Sequence, residues 1–512
     1  MRLTRWTDRA WKRRFAAFLL GAASVAAFAP LGWFPVTWAT FGGLYALLCP
    51  LAERRGGTGE AALAGWLFGL GFFLAGASWI FVSLSTFGGM PAPVAAFATL
   101  VFCAAMALYP ALAGALFARF APPAFWRRCL FFAALWTLAE WLRGWLFTGF
   151  PWLSAGYSQT PPSPLAGFAP VVGVYGVSFL TALAGAFLAE ALFRDRRDGA
   201  RRTMGTAACA LAAIALTGFL LTGCGWTTPR GEALRVAVLQ GNIAQDDKWR
   251  PDRLAESLHA YYSLMRDNPA PLTVLPEAAL PMFLGDVPED YLDAMRALAA
   301  RQNGDLVFGV VTGDWSRYAN SVVSLGASGE QRYDKAHLVP FGEFTPPGFA
   351  WFMSMLQIPM SAFSPGEKKQ APLSVGGQRI AVNICYEDAF GDEIIRALPE
   401  ATLLLNVSNM AWFGDSLAPA QHLQIARMRA LESGRMMLSA TNTGMTAIIG
   451  ADGKVRAALP PFTRAALTGE IRAYAGSTPY ARWGNWPAIA ASFLLLLFVG
   501  RRKSSSRFTE RP

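Results

Sequence analysis

Three residue types in this sequence could together carry out covalent acyl transfer: a thiol, an amine and a carboxylate. Cys385 ends the β-rich run Val382-Asn383-Ile384-Cys385-Tyr386-Glu387-Asp388. Lys335 lies in Tyr333-Asp334-Lys335-Ala336-His337, and Glu277 in Leu275-Pro276-Glu277-Ala278-Ala279. A thiol attacks a carbonyl as its thiolate, which a nearby cation or base makes accessible. The oxyanion that results needs a fixed cation or N–H donors. A carboxylate can take the thiol proton, then one from a second nucleophile. Each residue type alone is most often structural. Their joint appearance, each at the end of a β-rich run, points to a site with Glu277 as base, Lys335 as oxyanion stabiliser and Cys385 as nucleophile.

These groups need an α/β scaffold. Short β-branched runs recur at 235–239, 272–275, 306–311, 321–325, 380–384, 403–407 and 445–449. Amphipathic helical patterns span 251–266, 288–301 and 419–434. Strands alternating with such helices predict a layered α/β domain over 232–475. Ala451-Asp452-Gly453-Lys454 reads as a hairpin turn with a solvated lysine. His259 reads as structural, His337 as lining the site or supporting its backbone, and His422 as outside any metal cluster.

Outside this domain the sequence is apolar. The 512 residues are 54% hydrophobic and 15% charged, against roughly 25% charged in soluble domains. About eight runs are candidates to span a bilayer: 15–29, 35–51, 61–83, 93–118, 129–147, 166–193, 203–223 and 483–500. A secretory signal peptide would also fit the first, but further apolar runs follow it directly. Basic clusters at 2–14, 54–55, 119–128, 194–202 and 501–511 alternate with loops 30–34, 84–92 and 148–165, which hold no Lys or Arg. The positive-inside rule then predicts both termini in the cytoplasm and 224–482 outside it. The basic clusters account for the net charge of +11, so it is no footprint for nucleic acid. The domains expected are thus 1–231 with about seven spans, 232–475, and 476–512 with the last span and a cytoplasmic tail.

Six cysteines are present, and only Cys385 lies well inside the polar domain. That excludes a disulfide scaffold. Leu221-Thr222-Gly223-Cys224 looks like a lipidation site but follows about seven spans, which sets it aside. Residues 341–364 carry Phe344, Phe349, Trp351, Phe352, Met355, Leu356, Ile358 and Phe363 among prolines. They read either as a buried core helix or as an arm that meets lipid. Glu140 and Arg143 lie in or near a span, spaced to pair with each other or to meet a lipid headgroup.

The motifs Pro276-Glu277-Ala278-Ala279, Lys335-Ala336-His337-Leu338-Val339-Pro340-Phe341-Gly342-Glu343 and Asn383-Ile384-Cys385-Tyr386-Glu387 resemble the Glu, Lys and Cys motifs of the nitrilase (carbon–nitrogen hydrolase) superfamily, in that order. The whole chain is similar to the apolipoprotein N-acyltransferase family of bacterial inner membranes. That likeness extends to Trp141-Leu142-Arg143-Gly144, Gln240-Gly241-Asn242 and Ala411-Trp412-Phe413-Gly414-Asp415-Ser416. The resemblance implies a multi-span α-helical membrane protein with about eight transmembrane helices and an extracytoplasmic nitrilase-like αββα sandwich. It implies a ping-pong reaction. Cys385 takes an acyl chain from a phospholipid, phosphatidylethanolamine being the donor expected. The thioester then acylates the α-amine of a diacylglyceryl-cysteine on an apolipoprotein. Glu343 would orient Lys335 or the amine, Tyr386 and Glu387 would shape the site, and Trp249 would govern substrate access. Neither cofactor nor metal is implied. A membrane-tethered hydrolase using water is the alternative, and a transporter or lipid-binding scaffold with an inactive enzyme domain a more distant one.

Overall fold

The computed structural model describes residues 9–193, 200–353, 360 and 362–500. Met355, Leu356 and Ile358 of the 341–364 arm, much of the basic cluster at 194–202 and the C-terminal tail lie outside the described residues. The chain forms two compact units. One holds the N-terminal helices up to Ser78, Phe97–Cys224 and the helix from Trp483 onward; the other combines Trp79–Ala96 with Gly225–Arg482.

The first unit is helical. Among the described residues five helices are long and apolar enough to cross a membrane: Pro35–Glu53, Thr58–Gly76, Ala92–Phe120, Pro164–Leu192 and Arg201–Leu221. The other three expected spans are also helices, but they differ in length or charge. Ala10–Ser24 and Trp486–Gly500 have 15 residues each, and at 1.5 Å per residue fall short of a bilayer's roughly 30 Å. Phe125–Arg143 carries Arg127, Arg128, Glu140 and Arg143. The expected span 61–83 stops at Gly76. Within Ala92–Phe120 the helix is interrupted for one residue, Ala107, because Pro110 has no N–H for the Met106 carbonyl and its ring crowds that carbonyl. Helices pack through small residues: a Cβ at Gly71 would collide with the Phe18 carbonyl.

Glu140 and Arg143 direct their hydrogen bonds to a neighbouring loop, beyond the i, i+3 pairing their spacing suggested. Glu140 Oε1 accepts from Trp136 Nε1 at 2.7 Å and from the Ala155 backbone at 2.9 Å. Arg143 donates to the carbonyls of Phe150 and Trp152. The bonds to Ala155, Phe150 and Trp152 tie the following loop to the helix Phe125–Arg143.

The second unit is a two-sheet sandwich. Its strands are β1 (Thr227–Gln240), β2 (Leu272–Val274), β3 (Leu280–Phe283), β4 (Asp305–Asp314), β5 (Arg317–Gly326), β6 (Gln331–Asp334), β7 (Leu373–Val375), β8 (Gln378–Ile384), β9 (Leu403–Ser408), β10 (Met437–Thr441), β11 (Ala447–Ile449), β12 (Val455–Ala458) and β13 (Ala465–Gly476). One sheet runs β13-β1-β2-β4-β5-β6, with β3 beside β4; the other runs β12-β11-β10-β9-β8-β7. Val236, Val238, Val274 and Val307 of the first meet Ile380, Val382, Ile384 and Leu405 of the second in one apolar core. Helices Leu254–Asp267 and Glu289–Ala300 cover the outer face of the first sheet, and Ala418–Ser433 that of the second. The layers are therefore α, β, β, α. All seven expected strands are present, and the expected hairpin turn at 451–454 leads into β12; β3, β6, β7, β10 and β13 were not anticipated.

The direction of the strands positions the site. β1, β2 and β4 are parallel, as are β8, β9 and β10. β6 returns to the direction of β4 through antiparallel β5. Glu277 follows β2, Lys335 follows β6, Cys385 follows β8 and Asn409 follows β9. Carboxyl ends of parallel strands are where α/β sheets gather functional groups.

Candidate active site

Glu277 sits in a turn that only a close backbone approach allows. A Cβ at Gly309 on β4 would lie 2.6 Å from the Glu277 Cα, so a glycine lets the strand pass beneath. Ala278, next in the turn, has φ +45°. Glu277 is 7% exposed. Its Oε1 accepts from Asn320 Nδ2 at 2.7 Å and its Oε2 from the Asn409 backbone N–H at 2.7 Å. These bonds fix both carboxylate oxygens.

Lys335 is 1% exposed. Its backbone N–H donates to Asn320 O at 2.8 Å, and its carbonyl accepts from Gly366 N at 2.8 Å. Nζ lies 2.9 Å from Glu343 Oε1 and 3.7 Å from Glu277 Oε1. Burial alone would push this amine down, but the charges of Glu343 and Glu277 more than offset it and hold its pKa above the usual lysine value. Lys335 is therefore an ammonium in the resting site.

Cys385 turns the chain out of β8 with φ +53°, a left-handed conformation uncommon for a side-chain-bearing residue. Its carbonyl accepts from Asn406 Nδ2 and from His422 Nε2, both at 3.2 Å. Burial, then the charge of Glu277, pushes the thiol up, while Lys335 pulls it down. The resting sulfur thus keeps its proton. Burial lowers His422 to about 4, so its ring is neutral and carries its proton on Nε2 to serve the carbonyl.

The other residues named from sequence have the following surroundings. Glu343 Oε1 takes Lys335 and the Asn320 amide (3.0 Å), and its Oε2 takes the Val339 N–H at 2.8 Å. Glu387 is buried and clamps two loops: it accepts from Ala336 N, His337 N, Ile384 N and the Tyr333 hydroxyl. Tyr386 is half-buried, its ring 5.8 Å from His337 and 5.1 Å from Phe390. His337 stacks on Phe390 at 3.7 Å. Trp249 packs against the cluster of Phe283, Val311 and Tyr318. In the described part of the arm, Trp351 is 64% and Phe349 43% exposed, which rules out a buried core helix there. His259 is exposed and bonds Ser263.

Four contributors escaped the sequence reading. Asn320, a buried amide inside β5, bridges the two carboxylates. Asn409 holds Glu277 from the other sheet, and its side chain bonds Gln245 at 2.8 Å and Asn442 at 3.1 Å. Lys248, 3% exposed, donates to the Glu277 carbonyl at 3.1 Å, and burial lowers its pKa to about 8. His422 holds the Cys385 carbonyl. A polar residue inside an apolar strand, or just past its carboxyl end, was the available signal for Asn320 and Asn409.

Residues 20–187 match the apolipoprotein N-acyltransferase N-terminal domain, and residues 235–480 match the carbon–nitrogen hydrolase family. An apolipoprotein N-acyltransferase of Nitrosomonas europaea is 48% identical over 502 residues, 96% of this chain and 99% of that protein. Those of Ralstonia nicotianae (44%, 96% of this chain, 94% of that one) and Chromobacterium violaceum (45%, 95% and 94%) are similar over nearly the same length.

Proposed function

This chain belongs to the apolipoprotein N-acyltransferase family, and from that premise we propose the following reaction for it. It transfers an acyl chain from a phospholipid, phosphatidylethanolamine, to the α-amine of a diacylglyceryl-cysteine on an apolipoprotein. The observation that carries this reading is a buried ammonium, Lys335, set beside one carboxylate that fixes it and a second, Glu277, that faces the Cys385 site.

Glu277 takes the Cys385 proton as the sulfur attacks the ester carbonyl. Lys335 stabilises the oxyanion. Collapse breaks the ester C–O bond, and Glu277 returns the proton to the departing lysophospholipid oxygen. A thioester remains on Cys385. The lipoprotein amine then attacks it, Glu277 accepts the amine proton, and the thiolate leaves and is reprotonated. Glu343 keeps Lys335 in place through both steps, Tyr386 and Glu387 hold the nucleophile turn, and Trp249 lines the approach.

The membrane arrangement belongs to the same proposal. Eight spans, both termini cytoplasmic and the sandwich on the periplasmic side of the bacterial inner membrane are supported by the alternation of basic and charge-free loops. The proposed divisions are 1–231, 232–475 and 476–512.

Intact-protein mass spectrometry after incubation with phosphatidylethanolamine tests the chemistry. One acyl chain added to wild type and not to Cys385→Ala, and discharged by a diacylated lipopeptide, is the expected result. An adduct that water clears equally fast would make the protein a membrane-tethered hydrolase instead.

A further inference from the structure

Trp79–Phe87 follows the helix Thr58–Gly76 in sequence, yet it belongs to the same compact unit as the sandwich. The Trp79 indole is 7% exposed, and its Nε1–H donates to Gln421 Oε1 at 3.1 Å. His422, the next residue, holds the Cys385 carbonyl. The Trp79 ring meets Phe413 edge-on at 4.8 Å, and Phe87 meets Trp412 at 6.4 Å. Gly414, with φ +55°, lies under Val82: a Cβ there would be 3.2 Å from the Val82 methyl. Trp412–Gly414 continue the turn that starts at Asn409, whose N–H holds Glu277. One segment thus braces the support of the nucleophile and the support of the base. Its backbone is also unusual, because Ser83–Phe87 is a π-helical turn, a rare form that is frequent at functional sites.

We propose that Trp79–Phe87 is a positioning element of the Cys385 site, with the Trp79–Gln421 hydrogen bond as its key contact. The bond sets the start of the helix Ala418–Ser433, and with it the height of His422 under the Cys385 turn. Trp79 touches no reacting atom and acts through Gln421 and His422. The proposal rests on Cys385 being the nucleophile.

The test uses the full-length protein as wild type, Trp79→Phe, Gln421→Met and the double variant. Trp79→Phe keeps a ring against Phe413 and removes the N–H; Gln421→Met keeps side-chain length and removes the acceptor. Two quantities are read. The first is alkylation of Cys385 by iodoacetamide, followed on its own peptide by mass spectrometry, which needs no lipid. The second is kcat and KM for transfer from phosphatidylethanolamine to a diacylated lipopeptide. Each single variant is expected to lower kcat and the alkylation rate about tenfold, the scale of one lost hydrogen bond. KM should stay within about twofold, and the double variant should fall no further than either single one. Wild-type kcat in either single variant overturns the proposal, as do losses that multiply in the double variant or appear only in KM. Slowed alkylation alongside a wild type that transfers no acyl chain would uphold the positioning role and reject the transferase reading.

Discussion

Lys335 is held by Glu343 more tightly than by Glu277: Nζ is 2.9 Å from the first carboxylate and 3.7 Å from the second. The two acids therefore have different tasks although Asn320 bonds both. Glu343 neutralises the buried ammonium. Glu277 is fixed instead by the N–H donors of Asn320 and Asn409.

Glu343→Gln should expose that division. Lys335 would turn to Glu277 as its one remaining carboxylate partner among these residues, and the base would be tied up in an ion pair. We expect kcat to fall by about 100-fold or more, the scale of general-base catalysis, with KM little changed. Steady-state transfer assays check this; an equal rise in KM with kcat intact would assign Glu343 to substrate binding.

Asn320→Leu removes a donor from two buried carboxylates. Hydrogen bonds to charged groups contribute about 1.5–3 kcal/mol each, so the variant should unfold at a clearly lower temperature and lose activity. Asn320→Asp should be worse, because it adds a third carboxylate. Thermal unfolding in detergent measures both, and unchanged melting in Asn320→Leu would remove Asn320 from the site's framework.

Thiol reactivity separates the charges from the proton transfer. Lys335 pulls the Cys385 thiol down and Glu277 pushes it up. Lys335→Met should slow iodoacetamide alkylation at pH 8, since less thiolate forms. Glu277→Gln should speed alkylation while acyl transfer collapses, because a charge is lost together with the base. Parallel loss of both activities in Glu277→Gln would argue against this balance.

Two buried groups should shape stability against pH. Burial raises Asp388 from 3.8 to about 8, so the folded state holds its proton where the unfolded state has released it. Its stabilisation is full below about pH 4 and is lost as pH rises through about 8. Burial lowers His422 from 6.5 to about 4, so its contribution is full above about 6.5 and is lost as pH falls through 4. Asp388→Asn should flatten the alkaline decline in melting temperature, and His422→Gln the acid one. Slopes identical to wild type in both variants would contradict the assignment.

The order of Glu277, Lys335 and Cys385, the apolar runs around them and the β-rich segments that carry them are local properties, and residue type and spacing alone determined them. Buried parallel strands such as β9 read clearly because near-continuous apolar runs have few alternatives. β13 and β10 did not, since β13 is rich in Ala and Gly, which are depleted in strands, and β10 mixes Ser and Thr into its run. Hydropathy marked the apolar runs but not where each helix ends, as the stop at Gly76 shows.

The tertiary structure alone decided which groups meet. Asn409 reaches Glu277 from the opposite sheet, across 132 positions of sequence. Gln421 meets Trp79 across 342. Glu387 stood next to the cysteine in the sequence, but its work as a clamp on Ala336 and His337 appears only when β6 and β8 end side by side. The physical reason is common to all three. A buried polar group must find its partner wherever the packed sheets bring one within about 3 Å, and separation along the chain does not enter that requirement.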